Sequence, residues 1–205
     1  MSKPPLRTFV AYVEDRPGVL DRVASLFRRR AYNIASLTVG RTHRPGVSRL
    51  TVVMEADADA ARRIEANLYK LVNVLWVEDI TTEETVVRDL ALIKVRASAV
   101  DRSHVLQLCD VFRARVIDVA HDALTIEITG TADKLDGLLE VLRPFGVLDM
   151  ARTGAVAMAR GSRAPALDAW ADVTGMNGQP PGRAAAGEAE GDDSDDHPDR
   201  DDARA

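Results

Sequence analysis

The chain has 205 residues, 46% hydrophobic but only 4% aromatic, and its 27 Lys+Arg and 32 Asp+Glu leave a formal net charge of −5. No apolar run approaches the ~20 residues of a membrane-spanning helix, and a single cysteine builds neither a disulfide framework nor a Cys-based zinc site. Residues 161–205 carry eleven acidic and four basic side chains, so residues 1–160 are close to neutral. That removes the electrostatic case for nucleic-acid binding.

Met1 to Leu6 contains no apolar stretch and no Arg/Ser-rich amphipathic leader, so a cytoplasmic location is expected. A first β-branched, alternating segment, Thr8–Glu14, reads as a strand. Leu20/Val23/Ala24/Phe27 then repeat at helical spacing. Strands are expected at Asn33–Arg41 and Arg49–Ala56, joined by the turn His43-Arg44-Pro45-Gly46. A second helix follows on Ala61/Ile64/Leu68/Leu71, then a strand at Val74–Thr81.

The same order then recurs. Strand Leu90–Ala97 precedes helix Val105/Leu108/Cys109/Phe112, and strands Arg115–Ala120 and Ala123–Gly130 flank a turn at His121-Asp122. Helix Leu135/Leu138/Leu139/Leu142 and strand Val147–Ala159 close the pattern. Leu20–Arg28 and Val105–Arg113 align without gaps, each ending in Phe-Arg. The chain is therefore an α+β protein of two tandem ferredoxin-like βαββαβ domains, residues 7–82 and 88–160, joined by the polar stretch Thr82–Arg88. Each sheet is covered by helices on one face. The other face, carrying one alternate set from Val10, Tyr12, Leu37, Val39, Leu50, Val52, Leu75 and Val77, is expected to need a partner.

From Gly161 onward Gly, Pro, Ala and Asp dominate. Such a composition buries too little surface to offset its ordering entropy, so an acidic, disordered tail over 161–205 is expected. The disordered tail leaves room for one transient helical turn near Pro165–Val173, and a partner-docking segment around Trp170 is the alternative to plain solvation.

One loop carries chemistry. In Glu14-Asp15-Arg16-Pro17-Gly18-Val19-Leu20 the first strand turns into the first helix, with Pro17 suited to the first helical turn. Gly18 leaves the backbone open, and the amides near Gly18 and Val19 at the positive helix end suit a carboxylate. Asp15 is placed to take an ammonium. A zwitterionic amino acid offers both groups. The second half has Ser98-Ala99-Val100-Asp101-Arg102-Ser103-His104 at the equivalent place, with no Pro-Gly. A purely structural loop is expected in both copies, so a ligand site in the first domain alone is favoured.

These residues also carry a family resemblance. Asp15-x-Pro17-Gly18-Val19-Leu20, Arg30-Ala31-Tyr32-Asn33-Ile34, Lys70-Leu71-Val72-Asn73-Val74, Val116-Ile117-Asp118-Val119 and Arg152-Thr153-Gly154 occur in order. The set resembles the ACT-domain family, specifically the regulatory small subunits of acetolactate synthase, over about residues 7–161. The resemblance implies an N-terminal ACT domain that binds effector and dimerises, followed by a C-terminal ferredoxin-like domain. It implies a subunit without catalytic residues that binds and activates a large catalytic subunit for branched-chain amino-acid synthesis. Thiamine diphosphate, Mg and FAD would all belong to that partner, leaving this chain without a cofactor.

The resemblance further implies feedback inhibition by valine bound where two ACT domains meet. Asp15, Gly18 and Val19 would come from one chain, Asn33 and Ile34 from the other, with Leu20 and Ile34 shaping the apolar pocket. Asp15 stands where Asn is common in the family, and Ala31 where Gly is common.

Other chemistries find no footing. His43, His104, His121 and His197 lack metal-ligand spacing, Cys109 lies on an apolar helix face, and neither a phosphate loop nor a nucleophile elbow is present. Arg28-Arg29-Arg30 complements a helix C-terminus. A stand-alone amino-acid-sensing regulator of transcription or signalling is the rival reading, but it calls for a basic surface or helix-turn-helix that the sequence lacks.

Overall fold

The computed structural model describes residues 4–162. The features expected of the tail, including those around Trp170, lie outside the described residues. Two βαββαβ units follow one another, as the sequence pattern requires.

In the first, strands β1 (Leu6–Glu14), β2 (Ile34–Arg41), β3 (Val47–Glu55) and β4 (Val74–Asp79) form an antiparallel sheet in the order β2-β3-β1-β4. Helices α1 (Val19–Arg29) and α2 (Ala58–Leu68) cover one face. Alternation selects that face: Phe9, Ala11, Val13, Leu50, Val52 and Met54 point inward against Val23, Phe27, Ile64 and Leu68.

The second unit repeats this with β5 (Thr85–Arg96), α3 (Arg102–Phe112), β6 (Arg115–Val119), β7 (Ala123–Gly130), α4 (Ala132–Leu142) and β8 (Val147–Arg152). Its strand order is β6-β7-β5-β8. Ala91, Ile93, Val95, Ile126 and Ile128 pack under Val105, Cys109, Leu135 and Leu138.

Both first helices stop in the same way. In α1 the Tyr32 amide donates to Phe27 O and that of Ala31 to Arg28 O, with Ala31 in the left-handed region at φ 55°. In α3 the Ala114 amide donates to Cys109 O and that of Arg113 to Asp110 O, with Arg113 at φ 51°. Each is a Schellman motif built without glycine. Tyr32 then packs edge-on to Phe27, ring centroids 6.4 Å apart, supplying the apolar contact that usually accompanies this motif.

Three expectations need correction. The last strand breaks: Thr153-Gly154-Ala155 interrupts it, with Gly154 at φ +85°, and β9 (Val156–Ala159) pairs with β5 off the β6-β7-β5-β8 path. The polar stretch Thr82–Arg88 is only partly a connector, because β5 begins at Thr85 and its first four residues pair with β9. The third concerns the open face of the first sheet. Leu37, Leu50, Val52 and Val77 lie on the helix-covered side. Val10 and Tyr12, on the far side, are met by the chain's own Val87 and Ala157, which cluster with Ile80. Val10 and Ala157 are thereby buried at 3% and 0% exposure. The face that appeared to demand a partner is partly closed from within.

Candidate effector site

The loop between β1 and α1 is exposed from Asp15 to Gly18. Helix α1 begins at Val19, so Pro17 sits outside its first turn, a correction to its expected place. Gly18 is the N-cap residue at φ +81°, ψ −6°. That left-handed conformation favours glycine, and a Cβ built there meets no atom within 4 Å, so the space above it is open. No side chain caps the helix. The Val19 amide reaches back only weakly to Arg16 O at 3.4 Å, leaving the N-terminal amides directed at whatever occupies that space.

A polar frame holds this loop from below. The Asp15 amide donates to Gly46 O at 2.8 Å and the Glu14 amide to Asn73 O at 2.9 Å. Asn73 Nδ2 donates to Glu14 Oε2 at 2.7 Å, Arg22 donates to Asn73 Oδ1 at 2.6 Å, and Arg16 pairs with Glu14 at 3.3 Å. Asp15 pairs with Arg41 at 3.1 Å.

Sequence reasoning missed Arg41. The signal was its place at the end of β2: β1 and β2 both run antiparallel to β3, so their C-terminal ends lie at the same end of the sheet. Its side chain is 86% exposed, and such a pair is worth at most about 1 kcal/mol, so an ammonium competes for Asp15 at little cost.

The remaining candidates fall into two groups. Val19 lends only its amide, since its side chain is buried in the core, whereas Leu20 is 46% exposed beside the loop. Asn33 is exposed and Ile34 half-buried where β2 begins. They lie at the far end of α1, an eleven-residue helix about 16 Å long, so one chain does not bring them to Asp15 and Gly18.

The loop before α3 is built differently. Ser98 Oγ donates to Asp101 Oδ2 at 2.6 Å and accepts from the Asp101 amide at 3.2 Å. The Arg102 guanidinium donates to the carbonyls of Ala120 and His121 at 2.9 and 2.8 Å. No side chain caps α3 either, but its loop is tied down by bonds within itself and to the neighbouring turn.

Residues 9–76 match the family model described as an AHAS small subunit-like ACT domain, and residues 88–161 match the small subunit of acetolactate synthase. A probable acetolactate synthase small subunit from Methanothermobacter thermautotrophicus is 45% identical over 162 residues, 78% of this chain and 96% of the relative. This chain belongs to the acetolactate synthase small-subunit family.

The family's small subunit from Mycolicibacterium smegmatis is likewise 45% identical over 159 residues, 78% of this chain and 94% of that one. The crystal structure of the small subunit from Thermotoga maritima superposes with a TM-score of 0.73 at 38% identity, covering 78% of this chain and 99% of that one. The family's two-unit layout thus accounts for the whole described fold.

Proposed function

We propose that this chain is the regulatory subunit of an acetolactate synthase, that it binds and activates a large catalytic subunit, and that it confers feedback inhibition by valine. The thiamine-diphosphate chemistry, with its Mg and FAD, belongs in this reading to the partner. Carrying the argument is the N-terminus of α1, opened by Gly18 in the left-handed region, where its duplicate has Asp101 in the right-handed one. An amino acid's carboxylate takes the amides at Gly18 and Val19, and its ammonium takes Asp15, which Arg41 shares.

The separation of Asn33 and Ile34 from this loop supports a dimer. β2 is an edge strand, and among the described residues no strand pairs with its outer side. Antiparallel pairing of two copies along β2 sets the start of one strand beside the end of the other. Asn33 of the partner subunit then lies near Arg41, and so near Asp15. Leu20 and the partner subunit's Ile34 flank the valine side chain.

Inhibition requires that valine bind one conformation of the complex better than another, and a junction between subunits supplies that difference. Mixing the purified chain with its cognate catalytic subunit tests the assignment. Activity is expected to rise and valine to reduce the gain, while unchanged activity with a verified partner rules the assignment out.

A further inference from the structure

The crossing segment Thr153-Gly154-Ala155 grips the strand that carries half of the candidate effector site. The Ala155 amide donates to Ser36 Oγ at 2.9 Å, and Thr38 Oγ1 donates to Thr153 O at 3.3 Å. Between these bonds lies Gly154. A Cβ built on it falls on Ser36 Oγ, deep inside van der Waals contact, and 3.1 Å from Thr38 Oγ1. Its positive φ independently disfavours a side chain.

On its other side the segment is tied into the second domain. Thr153 exchanges backbone contact with Leu90, its amide donating to Leu90 O at 3.0 Å, and its Oγ1 donates to Asp89 Oδ1 at 3.1 Å. Asp89 is buried and accepts from Arg152 at 2.7 Å, which also donates to Asp136 on α4 at 2.8 Å. Burial pulls the Arg152 guanidinium down, but its bonds to these two carboxylates outweigh it and hold the group firmly charged. Farther along, Arg49 donates to Ala157 O while its guanidinium lies 5.6 Å from the Tyr12 ring centroid.

We infer that Thr153–Ala155 is a latch that couples effector occupancy in the first domain to the position of the second. The inference rests on the proposed effector reading. Ser36 is two residues from Ile34 and three from Asn33 on β2, with only one bulge between Ile34 and Ser36. Fixing the start of β2 at a subunit junction therefore restrains the hydroxyls that hold the segment. The path runs from Ser36 and Thr38 through Thr153 to Asp89, Arg152 and Asp136. Packed, hydrogen-bonded contacts of this kind carry coupling only where both ends bias a common element, and here that element is the latch.

The test uses the full chain with its cognate catalytic subunit and the double variant Ser36→Ala, Thr38→Val, which removes both hydroxyls. Valine affinity of the free regulatory chain and activation are expected to stay within about threefold of wild type, while the half-inhibitory valine concentration rises about tenfold or more, inside the usual range of allosteric coupling. Unchanged inhibition overturns the latch. So does a fall in valine affinity matching the fall in inhibition, since the hydroxyls then serve the site itself. Ser36→Ala alone is the milder variant should the double one fold poorly.

Hydrogen exchange separates a failed latch from a failed effector reading. If wild type neither binds valine nor responds to it, the effector reading falls, and the coupling role falls with it. The docking itself is then judged by the Ala155 amide, expected to exchange about tenfold faster in Ser36→Ala. An unchanged rate shows that Ser36 does not hold the segment.

Discussion

The two domains are copies in topology and opposites at one loop. Both place a helix after the first strand, and both end that helix in a Schellman motif around a left-handed non-glycine residue. Yet the second ties its loop down through Ser98, Asp101 and Arg102, whereas the first opens its loop at Gly18 and leaves Asp15 exposed. Duplication preserved what folding needs. In the proposed reading, the difference marks the copy that serves a ligand.

The comparison is sharpest in the cores, where the largest effect is expected. Phe27 is 1% exposed, while its counterpart Phe112 is only half-buried. Phe27→Ala is expected to cost about 3–5 kcal/mol and Phe112→Ala clearly less, read by denaturant unfolding. Equal losses would mean that the two helices share one packing role.

Next comes the loop. Gly18→Asp places a carboxylate where the ligand's own would sit, at a left-handed position that Asp tolerates better than most residues, for about 1 kcal/mol of strain. Activation is expected to survive and valine inhibition to disappear in the coupled assay. The mirror experiment is Ser98→Ala, which removes the closure of the second loop. It is expected to cost about 1 kcal/mol of stability by thermal melting and to leave valine inhibition alone.

Ala31→Gly and Arg113→Gly relieve the two strained helix ends. Each is expected to raise stability by up to about 1 kcal/mol, the left-handed strain less the entropy glycine adds to the unfolded chain. A gain at one site and not the other would break the equivalence of the two motifs.

Cys109 gives the smallest effect. Burial first, and Asp110 second, push its thiol above the ordinary range. A raised pKa leaves less thiolate at any given pH, so alkylation near pH 8 is expected to be at least about tenfold slower in the native than in the unfolded chain.

Much of this was legible in the sequence, because helices of 3.6-residue period and strands of period two declare themselves locally. The strand Ala123–Gly130 was placed to the residue, and the Gly18 loop stood out because its duplicate lacked it. What could not be read depends on distant partners. Thr85–Arg88 holds two β-branched valines, but after the acidic run before it so short a piece reads as connector until β9, some seventy residues on, pairs with it. Val147–Ala159 reads as one strand, and the reason for its break at Gly154 shows only once Ser36 is seen beneath it. Arg41 joined Asp15 through strand order alone, a relation without local signature.

The most direct test of the central claim is calorimetric titration of valine into the free full-length chain, beside Gly18→Asp and Ser98→Ala. Saturable binding to wild type and to Ser98→Ala, with none to Gly18→Asp, is the expected result. Equal binding by all three, or none by wild type, would contradict the assignment of an amino-acid site to the first domain's open loop.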